Sequence, residues 1–249
     1  MKLIDTHCHI HDSEFFGDKR QEVYDRAIAA GVAMITVGTD ERSSREAVDF
    51  VSSHDQSWAA VGVHPHEAKD GWSKVAGLAQ SSKVVAVGEI GLDYFYNHSP
   101  KDVQIQCLEE QLQIALDNNL PVSFHVREAF DDFWPIFDNF TGISGVLHSF
   151  TDSRINAEAG LSRGLYIGIN GISTFTRDEA QIELFTSLPL SKIILETDAP
   201  YLTPRPFRGK MNEVGYVELV GQWVAQSREL SFDDVAAVTT SSARSLFSI

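Results

Sequence analysis

Two histidines two residues apart, with a cysteine between them, stand almost at the start of the chain in "DTHCHI", Asp5 to Ile10. Such an alternation suits a Cys/His finger, a redox cysteine, or two imidazoles aimed into one cavity. A finger needs further Cys/His pairs at close spacing, and the only other cysteine is Cys107, far downstream. On a strand, side chains at i and i+2 share a face, so His7 and His9 point one way and Cys8 the other, as a small buried hydrophobe. Other residues able to carry chemistry recur at intervals: His64 in "GVHPHE", Glu89 in "VGEIGLD", His125 in "SFHV", His148 in "VLHSF", Glu196 and Asp198 in "LETDAP".

What positions them is a repeated pattern of short apolar runs. The strand candidates are "LIDTHCHI", "AMITVGT", "WAAVGVHP", "KVVAVGEIGLD", "PVSFHV", "GVLHSF", "LYIGING" and "KIILETD". Amphipathic segments separate them. The clearest runs from Pro100 to Asn118, where Val103, Cys107, Leu108, Leu112, Ala115 and Leu116 repeat at helical spacing. Near-continuous apolar strands alternating with helices predict an α/β fold, a (β/α)₈ TIM barrel forming a single domain over residues 1–249, with a helical stretch from about Asn212 onward. A doubly wound sheet is the competing architecture, but its Gly-rich phosphate turn is missing.

In a (β/α)₈ barrel the chemistry sits at the C-terminal ends of the strands. Six of the eight runs deliver an imidazole or a carboxylate there. A lone histidine is usually a satisfied core or surface residue; four histidines and two acids at one architectural level favour a metal centre. An ionised Glu89 behind "VVAV" is costly to bury unless paired or metal-bound. Nitrogen and oxygen donors without thiolate suit Zn, Mn or similar divalent ions. Six ligands exceed the needs of one tetrahedral metal, so two ions about 3.5–4 Å apart fit better, the arrangement that clamps both oxygens of a phosphoryl displacement.

Taken together, "DTHCH", "GVHPH", "GEIGLDY", "PVSFHVRE", "LHSF" and "LETDAPYLTP" follow one another as in the TatD-related hydrolases, and the chain resembles that family of the amidohydrolase superfamily from Asp5 to the closing "SARSLF". The resemblance implies a TIM barrel, two divalent metals (Zn, Mn or Mg) and hydrolysis of phosphodiester bonds by a two-metal-activated water, as in a deoxyribonuclease of exonuclease type. By matching position it implies one metal on His7, His9, Glu89 and Asp198, and a second on Glu89, His125 and His148, with Glu89 shared. The tail departs from the family pattern: "MNEVGYV" stands where "RNEPAYV" is usual, and "SARSLF" where "NARRLF" is. Those departures touch substrate preference and leave the ligand set intact.

Asp198 is the expected general base, with Glu89 as the other catalytic carboxylate. Arg127 follows His125 on the same face, and "YLTPRPFRGK" gathers Arg205, Arg208 and Lys210 without an acid. Guanidinium groups grip phosphate bidentately, so Arg127 and Arg205 are expected to bind substrate, with His64 and Tyr201 beside them. His66 is expected in a loop, and His11, His54 and His98 at the surface or in loops. Glu196 is expected to share a strand face with Asp198 and to orient a ligand. Asp93 and Tyr94 are expected to brace a loop, and the "DYFYN" run has rings that stack unpaired bases or pack the loop.

Composition narrows the alternatives. With 43 % hydrophobic and 22 % charged residues the chain is ordinary globular material. A formal charge of −15 argues against a broad electrostatic nucleic-acid surface and leaves room for a local basic patch. No run of 18 apolar residues occurs, the N-terminus lacks a signal-peptide core, and two unpaired cysteines suggest a reducing cytoplasm. The expected substrate is DNA or another phosphodiester, with no membrane and no obligate protein partner. The competing function is an amidohydrolase-superfamily hydrolase of a small ester, amide or phosphoester; a third reading, a scaffold with vestigial chemistry, sits badly with a complete ligand set.

Overall fold

A computed structural model describes all 249 residues. Every run expected to be a strand forms one: β1 (Leu3–Cys8), β2 (Val32–Val37), β3 (Ser57–Val61), β4 (Val84–Asp93), β5 (Val122–Arg127), β6 (Gly145–Leu147), β7 (Tyr166–Ile169) and β8 (Ile193–Leu195). Sheet order repeats chain order from β1 to β8, and helices alternate with the strands, the connectivity of a (β/α)₈ TIM barrel. The backbone divides into two compact units, Met1–Thr36 with Ser149–Ile249, and Val37–His148.

In the first unit β1 runs parallel to β2, with Leu3 opposite Val32 and Asp5 opposite Met34, and β7 runs parallel to β8, with Gly168 opposite Ile194. β1 and β2 are buried throughout, because both faces are covered. The C-terminal helical stretch consists of two helices, Val217–Ser227 and Phe232–Phe247. Between them Arg228 donates to the carbonyls of Leu188 and Phe185, and Ser231 caps the second helix by accepting from the Asp234 N–H.

In the second unit β3, β4, β5 and β6 pair in order, with Val87 opposite Val122, Gly91 opposite His125, Asp93 opposite Arg127 and Phe124 opposite Leu147. Register slips between Val87 and Ile90, beside Glu89. Gly91 is required where β4 meets β5: its φ is +155°, and a Cβ there would lie 1.7 Å from the His125 carbonyl oxygen. The helix Lys101–Asn118 buries Cys107, Leu108, Leu112 and Ala115 as its spacing predicts, while Val103 and Leu116 are only half-buried. Its buried face also carries Gln104 and Gln111. Gln104 accepts from the Asp93 N–H at 2.9 Å and donates to the Asp93 carbonyl at 3.1 Å, while Gln111 does the same for Val63 at 2.7 and 3.1 Å. Two amides in an apolar stripe thus satisfy backbone groups at the ends of strands.

Candidate metal centre

The strands β6 and β8 are shorter than their apolar runs because the chain turns where the polar residues begin. Ser149 (φ +47°) and Asp198 (φ +60°) take left-handed backbone, which ends a ladder and turns the next side chain aside. Functional side chains therefore stand on or just beyond strand ends: His7 and His9 at β1, His64 three residues past β3, Glu89 within β4, His125 within β5, His148 after β6, and Glu196 and Asp198 after β8.

In the first unit, His7 is fully buried and His9 nearly so, with ring centroids 5.2 Å apart and edge to face. Their Nε2 atoms lie 3.9 and 3.3 Å from one oxygen of Asp198, Oδ1. Asp198 is aimed by its neighbours. Its N–H donates to the His7 carbonyl at 2.8 Å, and Thr197 before it donates through both N–H (2.9 Å) and hydroxyl (2.5 Å) to the buried carboxylate of Asp5. Burial drives the Asp5 carboxyl well above its ordinary value, with the Thr197 hydrogen bonds pulling the other way. Asn212, fully buried, donates to the carbonyls of Thr197 at 2.9 Å and Tyr201 at 2.5 Å, so the departing tail motif keeps the residue that ties down the Asp198 loop. Tyr201 is 46 % exposed and stands edge to face with His9 at 6.1 Å, where burial and then Asp198 raise its phenol.

Glu196 does not reach Asp198 by strand alternation, because β8 stops at Leu195. It is fully buried and accepts from the Ser149 N–H at 2.6 Å, beside Gly168, where a Cβ would crowd its carboxylate at 2.6 Å. His11, expected at the surface or in a loop, lies in the turn after β1 but is buried at 2 % exposure and hydrogen-bonds the Thr36 hydroxyl at 2.7 Å. Burial, then the charges of His9 and Arg20, lower it to about 3, so this imidazole is a neutral core group. Cys8 points away from the histidines; its thiol donates to the Ile35 carbonyl at 3.5 Å.

In the second unit, three imidazole nitrogens converge on one carboxylate oxygen. Glu89 Oε1 lies 2.8 Å from His125 Nδ1, 3.7 Å from His64 Nε2 and 3.7 Å from His148 Nε2. Glu89 is 4 % exposed. Donor atoms of His64, Glu89 and His125 all lie within 4.8 Å of one another. A buried carboxylate ringed by imidazole nitrogens, with no thiolate, is the donor set that suits a divalent ion such as Zn or Mn, so these residues fit a metal. Burial, then repulsion from His125, holds His64 well below its ordinary value, in the neutral form able to ligate. Burial works against a charged His125, but hydrogen bonds to Asp93 and Glu89 outweigh it and push the ring up to about 9. A cation taken up there displaces that proton.

Asp93 does more than brace a loop. Its Oδ2 accepts from His125 Nε2 at 3.0 Å and from His66 Nε2 at 2.9 Å, while Oδ1 accepts from the N–H groups of Phe95 and Tyr96. Burial raises this carboxyl, yet the bonds from His125 and Tyr96 hold it well below its ordinary value. Carboxylates that bind the far nitrogen of a ligating imidazole fix its ring and tautomer. The signal was present in the sequence: Glu89, Gly91 and Asp93 are spaced to share one face of β4. His66 lies in the loop after β3, as expected, and is Asp93's second partner.

Of the substrate-binding candidates, His64 belongs to the Glu89 cluster and Tyr201 stands against His9, while the two arginines pack on other partners. Arg127, at the end of β5, lays its guanidinium over the rings of Phe95 at 4.1 Å and Tyr96 at 4.8 Å. Arg205 is exposed, with its N–H donating to Thr174 at 2.9 Å; Arg208 stacks over Phe175 at 3.8 Å.

Buried histidine and carboxylate sets at the strand ends of a (β/α)₈ fold define the class of metal-dependent barrel hydrolases. The family described as "TatD related DNase" matches residues 4–248, and the chain belongs to that family. It is 36 % identical to the uncharacterized metal-dependent hydrolase YabD of Bacillus subtilis, across 99 % of both chains. It is also 36 % identical to the 3'-5' ssDNA/RNA exonuclease TatD of Salmonella typhimurium, again across 99 % of both. Among solved structures, the TatD homologue YJJV of Escherichia coli superposes with a TM-score of 0.91 at 29 % identity, covering all of this chain and 98 % of that one.

Proposed function

We propose that this chain is a metal-dependent exonuclease that hydrolyses phosphodiester bonds of single-stranded DNA or RNA from an exposed end. The observation carrying this reading is the buried set of imidazole nitrogens around Glu89 Oε1, in a chain similar end to end to an ssDNA/RNA exonuclease. Two divalent ions of the Zn, Mn or Mg kind are assigned: the first unit offers His7, His9 and Asp198 to one, and the second offers Glu89, His125 and His148 to the other. When bound, such ions offset phosphate charge and bring the pKa of water toward about 7.

The chain's own residues do the rest. Asp198 accepts the proton of the attacking water at its carboxylate, which Thr197, Asp5 and Asn212 hold in place. Neutral His64 steadies the leaving oxygen. Arg127 and Arg205 grip phosphates on the substrate strand, and Tyr201 covers the His9 side. Both cysteines are free and buried, which suits action in the cytoplasm. No helix is long and apolar enough to cross a membrane.

A substrate panel tests the reading: end-labelled single-stranded DNA, RNA, blunt duplex, and a small lactone and phosphomonoester, each with and without chelator. Chelator-sensitive shortening of the single strands, faster than of the blunt duplex, is expected. Turnover of the lactone or monoester without any cleavage of nucleic acid contradicts it and supports the small-molecule hydrolase.

A further inference from the structure

Past the ends of β4 and β5 stands a group of rings that the metal chemistry does not employ. Phe95 and Tyr96 are consecutive aromatic residues, 50 % and 51 % exposed. Single exposed apolar residues are ordinary, but adjoining aromatic rings held in a fixed arrangement at a strand end offer a contact surface. The rings are held in place. Asp93, fully buried, accepts from both of their N–H groups at 3.0 and 2.9 Å, and the Gln104 amide holds the Asp93 backbone in turn. Phe95 and Tyr96 meet edge to face at 4.8 Å, and Tyr96 lies parallel to His98 at an interplanar angle of 9°.

Arg127, paired in register with Asp93, spreads its guanidinium over both rings. The assembly therefore combines flat π surface with a fixed positive charge. A ligand that uses both has a planar ring and an anion one bond chain away, which is the chemistry of a nucleotide. A paired base hides its faces in the helix stack; an unpaired base presents them. A carboxylate or phosphate alone leaves the rings unused, and an aliphatic ligand leaves the guanidinium unused.

We propose that Phe95, with Tyr96 set edge-on against it and Arg127 beside both, forms a shelf on which one unpaired nucleobase of the substrate strand stacks while the guanidinium holds an adjoining phosphate. The shelf rests on the nuclease reading and sharpens it: selection of single strands comes from ring stacking, without regard to which base is present. Because Asp93 holds the shelf by one carboxylate oxygen and His125 by the other, a base on the rings is registered against a metal-ligating residue.

The test has two readouts on the full chain. The first is fluorescence anisotropy of a labelled oligothymidylate in chelator, where nothing is cleaved. The second is the ratio of kcat/KM on that oligomer to kcat/KM on a fully abasic oligomer of the same length, a phosphodiester chain without rings. Phe95→Ala and Tyr96→Ala are each expected to raise the Kd by about 5- to 100-fold, the range for loss of one base-stacking ring, and to lower the ratio in step. Phe95→Trp is expected to restore both. An oligomer with abasic sites is expected to bind the native protein as weakly as the intact oligomer binds the alanine variants.

Equal Kd values for native and alanine variants overturn the shelf, as does an abasic oligomer that binds as tightly as the intact one. Loss of both substrates in proportion also overturns it, since the rings then act through the fold. Ring-dependent binding with no cleavage of any nucleic acid supports the shelf and defeats the nuclease reading. Cleavage with a KM indifferent to the rings does the reverse.

Discussion

Asp198 illustrates how a side chain is given a task by groups it does not touch. Its carboxylate faces the His7 and His9 Nε2 atoms, but its backbone is fixed by the His7 carbonyl and by Thr197, which Asp5 and Asn212 hold from either side. Asp198→Asn preserves the shape and one oxygen able to ligate while removing the proposed basic carboxylate. The expected outcome is a kcat at least about 100-fold lower, the usual scale for a lost general base, with metal content intact. Full activity in a metal-loaded Asp198→Asn sample removes Asp198 from the role of base. Cys8, which first draws attention between the two histidines, carries no such burden: it is buried, points away and donates to a carbonyl.

At the scale of elements, β4 and β5 carry Glu89, Asp93 and His125 of the second cluster, and their close approach is set by Gly91. A methyl group in Gly91→Ala would collide with the His125 carbonyl, so the two strands must part where Glu89, Asp93 and His125 are aligned. The variant is expected to melt earlier by several degrees, on the order of 1–3 kcal/mol, and to hold less metal than the native chain. A variant with native melting temperature and native metal content contradicts the strand-spacing account. Elements are also where sequence reading went furthest. All eight strands followed from short continuous apolar runs, as buried parallel strands require, and the main helix from its helical repeat. Its failures were polar. Gln104 and Gln111 look like breaks in an apolar stripe until the ends of β4 and β3 supply their partners, and His11 looks like a surface histidine until Thr36 is brought to it. The ligand candidates were legible because strand-end positions share a level; the work of Asp5 and Asn212 was not, because each depends on a neighbour distant in the chain.

Across the whole molecule, charge and burial make two further predictions. With a net charge of −15, affinity for nucleic acid must come from a few local cations such as Arg127 and Arg205. A single strand held at two or three phosphates gives a log–log salt slope of about −1.5 to −2. A slope beyond about −5 would mean a broad basic track that this composition does not contain. The second concerns alkaline stability. Burial, partly relieved by the Gln111 hydrogen bond, raises the Cys107 thiol to about 12 in the fold. The unfolded chain ionises the same thiol near about 8.5. Its stabilising contribution is therefore complete below that lower value and is lost as pH rises from about 8.5 through about 12. In chemical denaturation, Cys107→Ala is expected to show a shallower fall in stability across that window; parallel profiles would show that the thiol is not held protonated.

The central claim, that cleavage of nucleic acid depends on metal held by these histidines and carboxylates, meets its most direct test in one measurement. Protein is stripped with chelator, reloaded stepwise with Mn or Zn, and assayed at each step for bound metal per chain and for release of nucleotides from end-labelled single-stranded DNA. The rate is expected to be lost in the stripped protein and to return in proportion to metal bound, approaching two ions per chain. Undiminished cleavage by protein shown to be free of metal, or full metal loading without any cleavage, contradicts the account.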